Sequence, residues 1–204
     1  MNTYFIIGTD TGIGKTHVSC QLAKKWMQQG KVVKILKPIA TGCTYINERL
    51  VSEDTLRFEN TLTLPSKAVE GWSFEPPVSP HLAAELACMS LSAQDVVNWC
   101  NAQWQPQDEV RIIEGAGGLM VPINENETWI DVLSLLKIPV ILVVGIRLGC
   151  LNHAMLTSAV LQAHHIQIAG WVANRIDNAC LYPERLIQTL KAKFNFPCLM
   201  ELSR

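Results

Sequence analysis

Continuous apolar runs separated by amphipathic stretches dominate this chain. The runs predict β-strands at residues 3–8, 32–36, 110–114, 140–145 and 168–174. Helical spacing of apolar residues predicts helices at 15–29, 80–89, 93–103, 129–136, 152–164 and 183–193, and a short helix that begins near Ser52. Strands that are apolar throughout and alternate with helices indicate an α/β fold with a doubly wound, mostly parallel sheet. We expect residues 1–204 to form a single domain of this kind.

Turn and capping residues set several of the expected boundaries. Gly30 is a plausible stop for the first helix. Pro38 is expected to end the second strand, because proline has no N–H to pair with a neighbouring strand. Pro80 suits the first turn of a helix, and Ser92 with Asp95 resembles a capping box for the next one.

Composition narrows the classes of function. Charged residues make up 17% of the chain, so much of it is expected to be buried, in part against another subunit. The net charge of −1 argues against general binding to nucleic acid. The longest apolar run, 138–146, is too short for a membrane span of about 20 residues, and the N-terminus does not resemble a signal peptide. Seven scattered cysteines without a C-x-x-C pair favour free thiols in the cytoplasm over a metal cluster or disulfides.

A glycine-rich loop, GTDTGIGKT at 8–16, joins the first strand to the first helix. Gly12 and Gly14 leave the backbone bare, so its N–H groups can point at phosphate oxygens at the helix N-terminus. Lys15 can reach the outer phosphates, and the Thr16 hydroxyl can bind Mg²⁺. The spacing is unusual, because five residues separate Gly8 from Gly14 where the common pattern has four. The alternative is a glycine-rich turn that binds nothing.

Three further side chains follow strands or begin a helix near the expected ligand edge. Glu114 ends a strand in EGAGG, and a carboxylate at that edge suits Mg²⁺ next to Thr16, although an exposed acid in a turn is the alternative. Lys37 follows the second strand and could bind an anion, although an ordinary surface lysine is the alternative. Asp54 could join the metal, but acids are common in the first turn of a helix.

A second helix start lies in RLGCLNHAML. Gly149 ends a strand region, and Asn152 could cap the helix that follows. Free N–H groups at such a turn suit a carboxylate or a phosphate, but a simple helix cap explains the pattern equally well.

Five segments in the same order, GTDTGIGKT, KPIATG, EGAGG, PVILVVGIRLGCLNHAMLT and IAGWVAN, closely resemble the dethiobiotin synthetase family. The unusual loop spacing is itself part of that family's pattern. The resemblance implies a P-loop NTPase-like fold and a homodimer with the substrate site at its interface. It also implies an ATP-dependent cyclo-ligase that converts 7,8-diaminononanoate and CO2 to dethiobiotin, ADP and phosphate. The expected intermediates are a carbamate and a carbamic-phosphoric anhydride, and Mg²⁺ is the expected cofactor beside the co-substrate ATP.

The resemblance assigns roles to individual residues. The metal ligands would be Thr16, Asp54 and Glu114. The catalytic side chains would be Thr11, Lys15 and Lys37. The nucleotide would be lined by Gly12, Ile13, Gly14, Lys15, Thr16, His17, Asp54, Glu114, Gly115, Ala116, Gly117, Asn174, whose amide would read adenine, and Arg175. The diamine would contact Thr11, Lys37 and Thr41, and its distant carboxylate would be held across the dimer interface by Gly149, Cys150, Leu151 and Asn152.

The sequence departs from the family pattern in three places. Gly12 stands where some relatives carry an acidic residue. Leu186 aligns with a tyrosine that helps to bind the substrate carboxylate, and Tyr182 could replace it only if its helix extends back that far. The chain ends in LMELSR, where relatives continue over adenine, so Leu202, Ser203 and Arg204 would only begin that contact. We therefore expect weak discrimination among nucleoside triphosphates.

The alternative to a ligase is a regulatory ATPase of the partitioning type, which shares the broader fold. Such proteins typically carry an additional lysine near the start of the loop, and the stretch 8–11 has none. A ligase acting on cobyrinic acid would normally add a glutaminase domain, for which 204 residues leave no room. A pure binding module would not explain Glu114 and Lys37 beside a phosphate loop.

Overall fold

The structure is a computed structural model that describes residues 2–64 and 66–203. Its strands are β1 (Asn2–Gly8), β2 (Val33–Thr41), β3 (Thr44–Ile46), β4 (Arg49–Val51), β5 (Lys67–Phe74), β6 (Val110–Gly118), β7 (Val140–Ile146), β8 (Ile168–Arg175) and β9 (Cys198–Ser203). Its helices are α1 (Lys15–Gln28), α2 (Glu53–Thr61), α3 (Pro80–Leu86), α4 (Ala93–Ala102), α5 (Trp129–Leu136), α6 (Cys150–Ala163) and α7 (Pro183–Lys193).

A seven-stranded sheet in the order β5-β2-β6-β1-β7-β8-β9 forms the centre of the fold. All of its strand pairs are parallel, which confirms the predicted α/β class. Successive residues of β1 pack on opposite faces: Ile6 contacts the core under α1 and α2, whereas Phe5 and Ile7 contact the core under the other helices. The strands β2, β5 and β6 lie on one side of β1, and β7, β8 and β9 lie on the other, so the strand order reverses at β1. Ligands of such sheets bind at the carboxyl ends beside the reversal, where the loop after β1 lies.

Two sheet strands and one hairpin were not predicted. β5 and β9 are edge strands with mixed, partly exposed residues, so neither forms the apolar run that indicates a buried strand. The short hairpin of β3 and β4 is largely exposed, so it also lacks the apolar run that would have predicted it.

The expectation that Pro38 ends the second strand is wrong. Beyond Leu36, β2 pairs with β5 alone, and proline is tolerated where a strand has a neighbour on one side only. Gly71 lies opposite Pro38, and a Cβ there would lie 2.3 Å from the Pro38 carbonyl oxygen and 3.1 Å from the Trp99 ring. The two strands therefore approach closely at this point, directly beside Lys37.

Most of the predicted helices are confirmed within a few residues. The capping box of Ser92 and Asp95 is formed, and the Ser52 side chain accepts a hydrogen bond from the Thr55 N–H at the start of α2. In the described part of the chain, every helix is too short or too polar to cross a membrane.

Candidate functional site

The loop between β1 and α1 follows the central strand of the sheet. Gly12 and Gly14 have φ angles of 71° and 84°, a region that glycine adopts without steric cost. A Cβ on Gly14 would lie 2.3 Å from Nδ2 of Asn174, so the loop also needs glycine for space. That amide donates to the Ile13 carbonyl oxygen at 2.7 Å, which fixes the loop to β8. The loop is thus anchored to β8 directly before α1 begins.

A cleft of about 460 Å³ opens above this loop, at the carboxyl edge of the sheet. It brings together most of the residues predicted for the nucleotide and the reacting groups: Thr11, Gly12, Gly14, Lys15, Thr16, His17, Lys37, Thr41, Asp54, Ala116, Gly117 and Asn174. Its remaining lining residues are Ala40, Glu53, Arg57 and Ile176.

Three oxygen-bearing side chains converge beside the cleft: Thr16 and Asp54 line it, whereas Glu114 does not line it and is buried against Thr16. The Thr16 Oγ1 atom lies 2.6 Å from Asp54 Oδ1 and 2.8 Å from Glu114 Oε1. One hydroxyl proton can serve only one of these acceptors at a time. Glu114 is fully buried, so it is not the exposed turn residue of the alternative interpretation. A hydroxyl and two carboxylates are the oxygen ligands that Mg²⁺ prefers.

Lys37 lies between the same two carboxylates and is only 4% exposed, unlike a surface lysine. Its Nζ atom is 2.7 Å from Asp54 Oδ2 and 2.9 Å from Glu114 Oε1. Burial alone would lower the pKa of Lys37, but the two carboxylates outweigh burial and raise it. Burial likewise opposes the charged form of Asp54, yet Lys37 and the Thr16 hydroxyl lower the pKa of that carboxyl. This pair is therefore ionised at neutral pH.

Lys15 is the second buried cation of the cleft. Its Nζ atom donates to the Asp10 carbonyl oxygen at 3.1 Å. Burial and then the positive charge of Lys37 lower the pKa of Lys15 from 10.5 to about 8. A polyanion in the cleft would favour the charged form of this lysine. The arrangement thus suits a group with several negative charges.

Sequence reasoning missed Ser19 and Arg57 among the contributors to this site. The Ser19 hydroxyl is fully buried and donates to Glu114 Oε2 at 2.5 Å. Ser19 lies three residues after Thr16 and so on the same face of α1, which is a signal that the sequence offered. Arg57 lines the cleft three residues after Asp54 on α2 and pairs with Glu53.

Some of the predicted nucleotide residues lie outside the cleft. Arg175 pairs instead with Glu184 at 2.5 Å and with Glu201 at 3.7 Å. The Ile13 side chain is buried in the core, and only its carbonyl contributes, through Asn174. Gly115 packs on Phe5, where a Cβ would lie 3.0 Å from the ring.

The turn 149–152 does not line this cleft within the single chain. The expectation that Asn152 caps the helix is wrong, because α6 begins at Cys150 and Gly149, with φ of 89°, is its N-cap. A left-handed glycine lets the helix begin earlier than the sequence pattern indicated.

The structure also bears on the two departures near the C-terminus. α7 begins at Pro183, and Tyr182 is an exposed N-cap with φ of 55°, so the helix does not extend back to Tyr182. Leu202 pairs with Asn174 between β8 and β9. Arg204 lies outside the described residues.

A doubly wound parallel sheet, with a glycine-rich loop that leads into Lys15 and Thr16 at a helix start, defines a P-loop NTPase-like protein. A family model described as an AAA domain matches residues 2–204. The ATP-dependent dethiobiotin synthetase BioD of Legionella pneumophila is 44% identical over 200 residues, which cover 98% of this chain and 92% of that protein. The protein of the same name from Marinobacter nauticus is 39% identical and covers 97% and 86% of the two chains. This chain belongs to the dethiobiotin synthetase family.

Solved structures extend the comparison to the fold alone. A ParA family ATPase from Chlorobium tepidum superposes with a TM-score of 0.60 at 12% identity, over 100% of this chain and 84% of that one. The MinC:MinD cell division protein complex from Aquifex aeolicus gives a TM-score of 0.58 at 14% identity, over 100% and 81%. Such low identity indicates shared architecture only. The alternative of a partitioning-type ATPase is therefore not favoured over the family assignment.

Proposed function

We propose that this protein uses ATP to close 7,8-diaminononanoate and CO2 into dethiobiotin, with release of ADP and phosphate. The observation that carries the proposal is the buried Lys37, held between Asp54 and Glu114 beside the phosphate loop. The substrates are proposed from the family to which the chain belongs. The reaction begins when one amine of the diamine forms a carbamate with CO2. ATP then phosphorylates the carbamate, and the second amine attacks its carbonyl carbon as phosphate leaves.

Charge neutralisation is the main task of the site. A carbamate and a triphosphate are both anions, and phosphoryl transfer depends mostly on positioning and on electrostatic stabilisation. Lys15 and Lys37 supply two ammonium groups, and the backbone amide at Gly12 supplies an oriented dipole. The Thr11 N–H donates instead to Asp10 Oδ1 at 2.7 Å. These groups are held by the fold before any ligand binds, so they need little reorganisation during the reaction.

The cluster of Thr16, Asp54 and Glu114 fits a magnesium ion, because a hydroxyl and two carboxylates converge there. When bound, Mg²⁺ would neutralise and orient the outer phosphate oxygens. Ser19 donates to Glu114 Oε2, and Lys37 donates to Oε1, the oxygen that also lies beside the Thr16 hydroxyl. These bonds limit the rotation of the Glu114 carboxylate.

Thr11 supports the proposed position of the diamine, because it borders two clefts. The second cleft, of about 380 Å³, extends from Thr11 to α6 and has apolar walls that include Met120 and Leu156. Such walls suit the carbon chain of the diamine. We propose that Thr41 lies at the nucleotide end of this path.

A second copy of the chain would complete the proposed site. Leu148 is 93% exposed directly before the turn 149–152, and Met155 and Leu156 are exposed on the helix that follows. Exposed apolar side chains beside a functional turn support an interface between copies. The turn would then hold the distant carboxylate of a diamine bound across that interface.

All seven cysteines are free thiols, which supports a cytoplasmic location.

Phosphate release that depends on the diamine is the first expected result. Protein, Mg-ATP and bicarbonate are mixed with and without 7,8-diaminononanoate, phosphate is followed by a coupled assay, and dethiobiotin is identified by mass spectrometry. We expect rapid release only when the diamine is present, because the carbamate is the phosphoryl acceptor. Equal release without the diamine would contradict the ligase and support a regulatory ATPase.

Weak selectivity among nucleotides is the second expected result. Asn174 is the proposed reader of adenine, but its nitrogen already donates to the Ile13 carbonyl oxygen. We expect kcat/KM for ATP, CTP and GTP to agree within about tenfold, or about 1.4 kcal/mol. Steady-state kinetics with each nucleotide measures this. A preference for ATP well above that factor would show that adenine is read by other groups.

A further inference from the structure

Glu70 on β5 gathers an unusual number of hydrogen-bond donors. Its carboxylate accepts from the Ser52 N–H at 3.2 Å, from the Thr55 hydroxyl at 2.5 Å and from the Ser73 hydroxyl at 2.5 Å. The Ser52 hydroxyl also donates to it. An ionised carboxylate only accepts, and its two oxygens offer about four lone-pair sites, so it can serve all of these donors at once.

These contacts hold the first turn of α2 against the sheet. Ser52 is the N-cap of α2 and Thr55 lies in its first turn, and the two residues flank Asp54. A carboxylate is also favourable near the positive end of a helix. Glu70 therefore fixes the turn that carries Asp54.

Asp54 depends on such a contact more than the other members of the cluster do. Thr16 and Glu114 lie on α1 and β6, which pack in the centre of the fold. Asp54 instead follows the exposed hairpin of β3 and β4, in which Tyr45 is 67% exposed. The link to the sheet at this end of α2 runs through β5, whose Glu70 pairs in register with Lys37.

We propose that Glu70 is a positioning residue for the metal site, which orients the Asp54 carboxylate towards Thr16 and Lys37 through the first turn of α2. The inference rests on the proposed function, because it assumes that Asp54 binds the magnesium ion of Mg-ATP. Glu70 itself does not line the nucleotide cleft.

The test compares nucleotide binding in Glu70→Gln and in the unmodified protein. Glutamine keeps the shape but places an N–H₂ group among hydroxyl donors, so at least one of these contacts is lost. We expect the Mg²⁺ concentration for half-maximal enhancement of ADP binding, measured by calorimetry, to rise about tenfold, the lower end of the loss expected when the support of a metal ligand is removed. ADP affinity without Mg²⁺ should be unchanged, and kcat should recover when Mg²⁺ is raised.

Glu59→Gln is the matched control, since Glu59 lies on the same helix and pairs with Arg49 at 2.9 Å, away from the first turn. It should leave the Mg²⁺ requirement unchanged. An equal shift in Glu59→Gln would mean that any loss of charge on α2 suffices, and this would overturn the proposal.

A double-mutant cycle with Asp54→Asn separates positioning from a general loss of structure. If Glu70 acts through Asp54, then Glu70→Gln should change the Mg²⁺ requirement little once Asp54 is already replaced. An undiminished effect in the Asp54→Asn background would overturn the proposal, and so would an unchanged requirement in Glu70→Gln. Should Glu70→Gln fail to fold, Ser73→Ala removes one donor and is expected to shift the requirement in the same direction. No shift in Ser73→Ala would then count against Glu70.

The unmodified protein distinguishes failure of the inference from failure of the proposed function. If Mg²⁺ did not enhance ADP binding to it, the metal site itself would be wrong. If Mg²⁺ enhanced binding equally in the unmodified protein and in Glu70→Gln, only the role of Glu70 would be wrong.

Discussion

Replacing Lys37 by methionine is expected to lower kcat by a factor of about 10² to 10³, the usual loss when one group that stabilises developing charge is removed. The same change should destabilise the fold. Glu114 is fully buried, and removing the cation of a buried pair costs about 3–5 kcal/mol because the remaining charge is uncompensated. Steady-state kinetics and urea unfolding measure the two effects.

Lys34→Met is the matched control for Lys37→Met. Lys34 is equally buried on β2, pairs with Asp108 at 3.7 Å and donates to the Gln103 carbonyl oxygen at 2.6 Å. It lies three residues before Lys37, about 10 Å along the strand, and on the opposite face of the sheet. It should therefore lower the free energy of unfolding and leave kcat nearly unchanged.

A second comparison isolates the contribution of Lys37 to stability. In Lys37→Met combined with Glu114→Gln, the buried charge is gone, so much of the lost stability should return. Retention of full turnover in Lys37→Met, or an equal loss of kcat in Lys34→Met, would contradict the role of Lys37 in the reaction.

Replacing Gly14 by alanine is expected to weaken binding of Mg-ADP by about tenfold to a hundredfold. A left-handed backbone costs a residue with a side chain about 1–2 kcal/mol. The new Cβ would also lie 2.3 Å from Asn174 Nδ2, so the bond from Asn174 to Ile13 would break. Loss of a buried hydrogen bond adds about 1–3 kcal/mol. Calorimetry with Mg-ADP measures the affinity.

Gly30→Ala provides the control for backbone strain. Gly30 has a φ of 79°, and no heavy atom of the described chain lies within 4 Å of a Cβ placed there. This variant should lose stability to a similar backbone cost but bind Mg-ADP normally. If Gly14→Ala also bound normally, the loop would not be the phosphate site.

The sequence predicted the buried part of the fold because burial produces a recognisable pattern. β7 is apolar throughout, β1 is apolar from Tyr4 onwards, and both lie in the middle of the sheet. β5 and β9 lie at the edges, where half-exposed positions accept polar residues and the pattern disappears. The expected strand end at Pro38 was wrong because β2 continues beside β5 as far as Thr41. The expected helix start at Asn152 was wrong because the left-handed Gly149 lets α6 begin at Cys150.

The candidate site was predictable where a short motif carries the chemistry. The loop 8–16 follows β1, and Glu114 lies in β6 at the end of its apolar run, so their location at the ligand edge follows from the topology of parallel sheets. The contacts of Ser19 with Glu114 and of Ser52 with Glu70 join residues 95 and 18 positions apart. Such contacts depend on strand register and helix docking, which local patterns do not encode.

The close approach of Pro38 and Gly71 limits how this site can vary. A carbonyl oxygen on one side and the Trp99 ring on the other leave no volume for even a methyl group at residue 71. The lack of a side chain at Gly71 thus sets the distance between β2 and β5. Lys37 and Glu70 lie directly beside this point, so their separation depends on the same glycine. Substitutions are therefore expected at solvent-facing residues of β5, whereas residue 71 is expected to remain glycine.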